Sequence, residues 1–171
     1  MGDTIKPLEP PDIHHARAAL GWLELGSHLE ANEELEKITP HFRVHPDVLE
    51  IRWQIYAKES KWEACRDIAR AITQIEPSRP SGWIHFAYST RRAPNGGLEA
   101  AREILFPAAE KFPQESIVPY NLACYACQLG NLKESMEWLG KAIDLAGKND
   151  IRSMALDDPD LEPLWNHISE I

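Results

Sequence analysis

Cys124 and Cys127 are the residues of this 171-residue chain whose type and spacing come nearest to chemistry. A Cys-x-x-Cys pair can act as a redox dithiol, supply half of a zinc site or attach haem. The redox use places the reactive thiol at a helix N-terminus, where free N–H groups and the helix dipole lower its pKa. Here at least one turn of good helix sequence, Val118 to Ala123, precedes Cys124, so that activation is missing. Zinc needs two more ligands at credible spacing, and the next histidine downstream, His167, is remote. Haem attachment needs a histidine directly after the second cysteine, where Gln128 stands. The thiols are therefore read as small buried hydrophobes, with a redox or metal role ranked third among the functional readings. Three cysteines without a secretion signal also fit reduced thiols better than a disulfide framework.

Other candidates are weaker. Asp157, Asp158, Asp160 and Glu162 form an acidic run, but its prolines and lack of a glycine turn do not match a calcium loop. Capping and solvation account for it. His14 and His15 are neighbours on one helix and face apart, which suits a surface role. The sequence has no phosphate-binding glycine loop, no Gly-x-Ser-x-Gly and no His-Glu-x-x-His. No catalytic, metal or cofactor residue is assigned, and the chain is not read as an enzyme.

The elements that would position these residues are helices. Apolar residues recur three and four apart over windows of a dozen or more, and no segment reads as a strand. Acidic residues outnumber basic ones, 27 to 18, for a net charge of −9. That balance argues against nucleic-acid backbone binding, which needs clustered Lys and Arg. No apolar run approaches the roughly 20 residues of a bilayer span, and the N-terminus lacks a signal pattern. The expectation is a soluble cytoplasmic protein without a membrane partner.

Turn residues cut the chain at regular intervals. Gly26 and Ser60 lie 34 apart, and Gly130 lies 70 beyond Ser60, two periods plus two residues. The extra pair falls in the turn-rich stretch Ala93 to Gly97, where an insertion costs little. Second-helix positions Ala31, Cys65, Ala101 and Ser135 step by 34, 36 and 34. First-helix positions Ala19, Trp53, Ala87 and Ala123 step by 34, 34 and 36. One register covers residues 12–149.

With that period, and with Trp83, Ala87, Ala101, Leu105, Ala108 and Pro113 in one unit and Leu122, Ala123, Gly130, Leu132, Leu139 and Ala142 in the next, the chain resembles tetratricopeptide repeat (TPR) proteins. The first two units are degenerate copies. Trp53 departs from the pattern, since the family keeps a small residue there for close helix approach. The resemblance implies an all-α, right-handed superhelical stack of four TPR-like helix-turn-helix units with a C-terminal capping helix. The units are expected over about 12–45, 46–79, 80–115 and 116–149, after an N-terminal extension over 1–11. Residues 150–171 are read as a linker and the capping helix. Most of the tryptophans are expected in the core between units.

Such a stack presents a concave inner surface lined by the first helix of each unit. The register puts Ala16, Leu20, Glu50 and Lys58 on it, and the expected groove residues are Gln54, Ile84, His85, Tyr88, Arg91, Arg92, Tyr120, Asn121, Cys124 and Cys127. Tyrosine and arginine often anchor interfaces, so Tyr88, Arg91, Arg92 and Tyr120 are central. The alternative for these four is packing against the last helix or another protomer. A chaperone-tail clamp would need basic and amide residues where Ala16 and Leu20 stand. The sequence thus reads as a non-catalytic adaptor and scaffold binding a peptide or protein segment in the groove. A self-associating structural module, a homo-oligomer, is second.

Overall fold

A computed structural model of the chain describes residues 5–170. The first four residues of the expected N-terminal extension and residue 171 lie outside the described residues. Every regular element among the described residues is helical: α1 (Asp12–Glu24), α2 (His28–Lys37), α3 (Pro46–Lys58), α4 (Trp62–Ile75), α5 (Pro80–Arg92), α6 (Leu98–Lys111), α7 (Ile117–Gln128), α8 (Leu132–Ala146), α9 (Lys148–Asp157) and α10 (Trp165–Glu170). Short 3₁₀ segments cover Pro40–Phe42 and Pro159–Leu164. The chain divides into two compact units, Met1–Ser89 and Thr90–Ile171, and the boundary falls inside α5.

The repeated turn residues do one conformational job. Gly26, Ser60 and Gly130 have φ of 78°, 56° and 83°. Each left-handed residue lets the next N–H reach back to a carbonyl near the helix end: Ser27 to Trp22 at 2.8 Å, Lys61 to Tyr56 at 2.9 Å, Asn131 to Ala126 at 2.8 Å. The helix end is thereby satisfied and the chain reverses. Ser60 does this with a Cβ, in a conformation that glycine adopts without steric cost. In the longer turn after α5, a Cβ on Gly96 would lie 1.7 Å from the Thr90 carbonyl oxygen, so only glycine fits.

In the first unit α1 packs on α2, α3 on α4, and both α1 and α2 on α3. Its core combines Leu35, Ile38, Val48, Ile51 and Ile55 with the fully buried Ala19 and Ala31, whose lack of bulk permits close helix approach. Each buried Leu or Ile contributes about 1.5–3 kcal/mol. Two buried polar residues here, Asp12 and His45, are matched. Asp12 accepts from the Thr39 N–H at 2.7 Å, and the His45 ring contacts the Lys6 carbonyl at 3.1 Å while accepting from the Asp47 N–H.

In the second unit α7 is buried nearly all round: of residues 118–127, Asn121 alone is not buried. A helix apolar on every side needs cover on every side. It receives it from α6, from α8 and from the Pro159–Leu164 segment. The Ser135 hydroxyl donates to the Ala123 carbonyl at 2.7 Å and ties α8 to α7.

The expected linker after Asn149 differs from the structure. Residues 148–157 form α9, because Ile151 and Ala155, one turn apart, give it a buried stripe. The cap itself is the 3₁₀ segment followed by α10, buried through Leu161, Leu164 and Ile168. The Asp158 side chain starts it by accepting from the Asp160 N–H at 2.9 Å.

Candidate functional site

The first-helix face of the first unit is built from α3 and α5. Their i, i+3/i+4 spacing brings Glu50 and Trp53 of α3 to residues 81–89 of α5, with Gln54 next to Trp53 in sequence. The Trp53 indole lies flat on the His85 ring, centroids 3.8 Å apart and planes within 8°. Its Nε1 donates to the Ser89 hydroxyl at 2.9 Å, and that hydroxyl donates to the His85 carbonyl at 2.7 Å. Tyr88 meets Trp53 edge-on at 6.0 Å and Trp62 at 5.8 Å. The large ring at position 53 is thus accommodated by lying across to α5. On the α4 side stands the small Cys65, whose thiol points at the Trp53 carbonyl 3.7 Å away.

Glu50 anchors the polar edge of this cluster. His85 Nδ1 lies 3.0 Å from its Oε2, close enough for charge attraction although not aligned as a hydrogen bond. The Ser81 hydroxyl donates to Oε1. Burial pushes the Glu50 carboxyl up, but His85, Ser81 and Arg79 together hold it below its ordinary value. Serine and histidine both converge on the carboxylate, so the hydroxyl proton points to glutamate. This arrangement orients an imidazole against an indole. Gln54 is exposed, and Ile84, His85 and Tyr88 are half-buried.

The second unit finishes its first-helix face differently. Arg91, at the end of α5, grips Asp160 through both guanidinium nitrogens, and its guanidinium lies 5.7 Å from the Tyr125 ring centroid. The Tyr120 hydroxyl donates to Asp158 Oδ2 at 3.0 Å, and the Cys124 thiol points at the same oxygen from 3.5 Å. Gln128 Nε2 donates to the Asp160 carbonyl at 2.9 Å. The chain's own Asp158-Pro159-Asp160 therefore covers the surface expected to be an open floor. Tyr120, Cys124 and Cys127 are 4%, 3% and 3% exposed. Asn121 and Arg92 are half-buried.

This cover decides the thiol chemistry. Burial pushes the Cys124 thiol well above its ordinary range, and the Asp158 and Asp160 charges push it further. Burial also raises Cys127, and it raises Cys65 to about 11. All three cysteines are free and buried, the environment of unreactive thiols. Cys124, Asp158 and Asp160 place ligand atoms within 4.8 Å of one another, a grouping that could hold a metal. Asp160, however, already takes the Arg91 fork, and Asp158 takes the Tyr120 hydroxyl and a backbone N–H. A cation would have to displace these donors.

Of the remaining candidates, His15 Nδ1 lies 2.8 Å from Glu34 Oε2 while His14 is exposed, so the pair does face apart. Asp158 and Asp160 are the site residues that sequence reasoning assigned to capping and solvation; Asp158 does cap the 3₁₀ segment, but both carboxylates also bind side chains of α5 and α7. The signal was Leu161, Leu164 and Ile168 just after them, spaced three and four, which demanded a buried landing place.

No family model matches the chain, and no curated protein matches it in sequence. Among solved structures, a thermophilic TPR protein of Thermus thermophilus is similar in fold. The TM-score is 0.69 over 94% of this chain and 100% of that one, at 14% identity. The chain has an all-helical, TPR-like fold. No helix among the described residues is long and apolar enough to cross a membrane.

Proposed function

We propose that the chain is a non-catalytic adaptor that binds a peptide or protein segment on its first-helix faces. The observation that carries this reading is the α3–α5 surface of the first unit. There Gln54, Ile84, His85 and Tyr88 remain at least partly accessible around a stacked aromatic support. Rings immobilised before binding lose little freedom on contact, which suits them as anchors. In the second unit the reading keeps Arg92 and Asn121, because the acidic segment already engages Arg91, Tyr120 and Cys124. Three reduced, buried thiols suit a cytoplasmic protein. The test is capture from native lysate by the wild type and by Gln54→Ala/Tyr88→Ala of unchanged helicity. A partner recovered only by the wild type, and binding it directly when purified, supports the reading; equal recovery removes it.

One observation favours self-association as a second reading. Leu25 and Leu29, around the α1–α2 turn, are 75% and 74% exposed, with Leu20 and Trp22 also exposed nearby. Apolar groups so placed favour a contact between copies. A dimeric light-scattering mass that falls to monomer in Leu25→Glu/Leu29→Glu would select this reading.

A further inference from the structure

Residues of α6, the α6–α7 turn, α7 and α8 line a surface cavity of about 440 Å³, within the range of small-ligand and side-chain pockets. Its wall is aromatic. Phe106 and Trp138 meet edge to face at 5.8 Å and 86°, with Phe112 and Pro119 beside them. Phe106 is 45% exposed, a large apolar group left open at the rim. The Trp138 ring is held by its edge: Nε1 lies 3.2 Å from Glu134 Oε1, and the same carboxylate receives Arg102 at 2.6 Å. That leaves a face of the indole for another contact.

A cation already uses it. The Lys141 ammonium lies 3.9 Å from the Trp138 ring centroid, although the carboxylates of Glu110 and Asp144 line the same cavity. Among the described residues neither carboxylate makes an ion pair. Among the lining residues two carboxylates stand against one ammonium, a formal charge of −1 inside a chain of −9, with the Lys111 ammonium outside the lining 5.6 Å from the Phe112 ring centroid. A rigid indole, a perpendicular phenyl ring beside it and unmatched carboxylates together favour a planar, weakly hydrated cation that stacks while its N–H groups reach oxygen. Lys141 is exposed, so its ammonium can leave the ring for solvent.

We infer that this cavity binds an arginine side chain of a partner protein, with the guanidinium displacing Lys141 from the Trp138 face. The site uses none of the α3–α5 residues and does not depend on the adaptor surface proposed for them. The test uses the full chain and two probes of nearly one shape, N-acetyl-arginine amide and its uncharged isostere N-acetyl-citrulline amide. The Trp138 indole N–H resonance, assigned by its disappearance in Trp138→Phe, is followed by NMR. The arginine probe is expected to shift it saturably, and citrulline to bind about tenfold more weakly. Lys141→Met, which keeps the stem and removes the competing charge, is expected to tighten arginine binding about three- to fivefold, and Asp144→Asn to weaken it by a similar factor. Both lie on an exposed surface of α8 and leave the core intact. An unsaturable shift, equal response to citrulline, or an equal response to N-acetyl-leucine amide would overturn the inference and leave an unselective apolar notch.

Discussion

The α3–α5 face of the first unit and the α7 face of the second occupy corresponding places in the repeat, yet they are completed by different physics. In the first unit, aromatic rings from neighbouring helices stack on one another, and the outer positions Gln54, Ile84 and Tyr88 stay accessible. In the second, a segment from beyond α9 lays two carboxylates on Arg91, Tyr120 and Cys124 and buries three aliphatic side chains beside them. A repeat register thus assigns a residue to a face without fixing what the face meets. Stacking consumes neighbours in the repeat; carboxylates and aliphatic anchors bring a distant segment into it.

The largest expected effect comes from removing the cover. Deleting residues from Asp157 onward strips away Leu161, Leu164 and Ile168, at most 2% exposed, which is worth about 5 kcal/mol or more. The melting temperature should fall by about 10–20 °C. Cys124 and Cys127 should become open to alkylation while Cys65 stays protected. An unchanged melting curve would refute the capping role and erase the contrast between the two faces.

Trp53→Ala strikes the other side of the comparison. It removes the stacked ring and leaves the Ser89 hydroxyl without its donor, at a cost of about 3–5 kcal/mol. Urea unfolding should register the loss. Cost-free substitution would show that the first unit does not depend on stacking.

Asp160→Asn separates the polar lock from the aliphatic anchors. It should cost about 1–3 kcal/mol, because the Arg91 side chain, 19% exposed, loses its carboxylate. A loss as large as that of the truncation would mean that the carboxylates, and not the leucines, hold the segment.

The smallest effect concerns acid stability of the first unit. Glu50 has its folded pKa below 4.5, so its ionised form favours the fold. Its contribution is complete above about pH 4.5 and fades as pH falls through the folded value. Glu50→Gln should therefore lower stability by about 1 kcal/mol or less near neutrality. The gap to wild type should close on acidification. A gap that widened toward low pH would contradict this sign.

Much of the fold was legible because it is local. Gly26, Ser60 and Gly130 announced the turns, since a left-handed residue ends a helix wherever it stands. Ala87, Ala101, Ala108 and Ala123 announced close packing, and all four are fully buried. Position 53 was legible only as a departure: the sequence showed a ring too large for its place, while its partner His85 lies nearly a full repeat away on α5. The helical nature of residues 148–157 was missed because Ile151 and Ala155 make too short a stripe to stand out.

The helices, their period and the turns between them could all be read from the order of residues, because these follow from turn chemistry and 3.6-residue periodicity. That Arg91 and Tyr120 meet Asp160 and Asp158, 69 and 38 residues downstream, while Tyr88 rests on tryptophan, emerged with the folded chain alone. Such pairings depend on which buried leucines find a matching surface, and periodicity along a chain carries no information about distance across it.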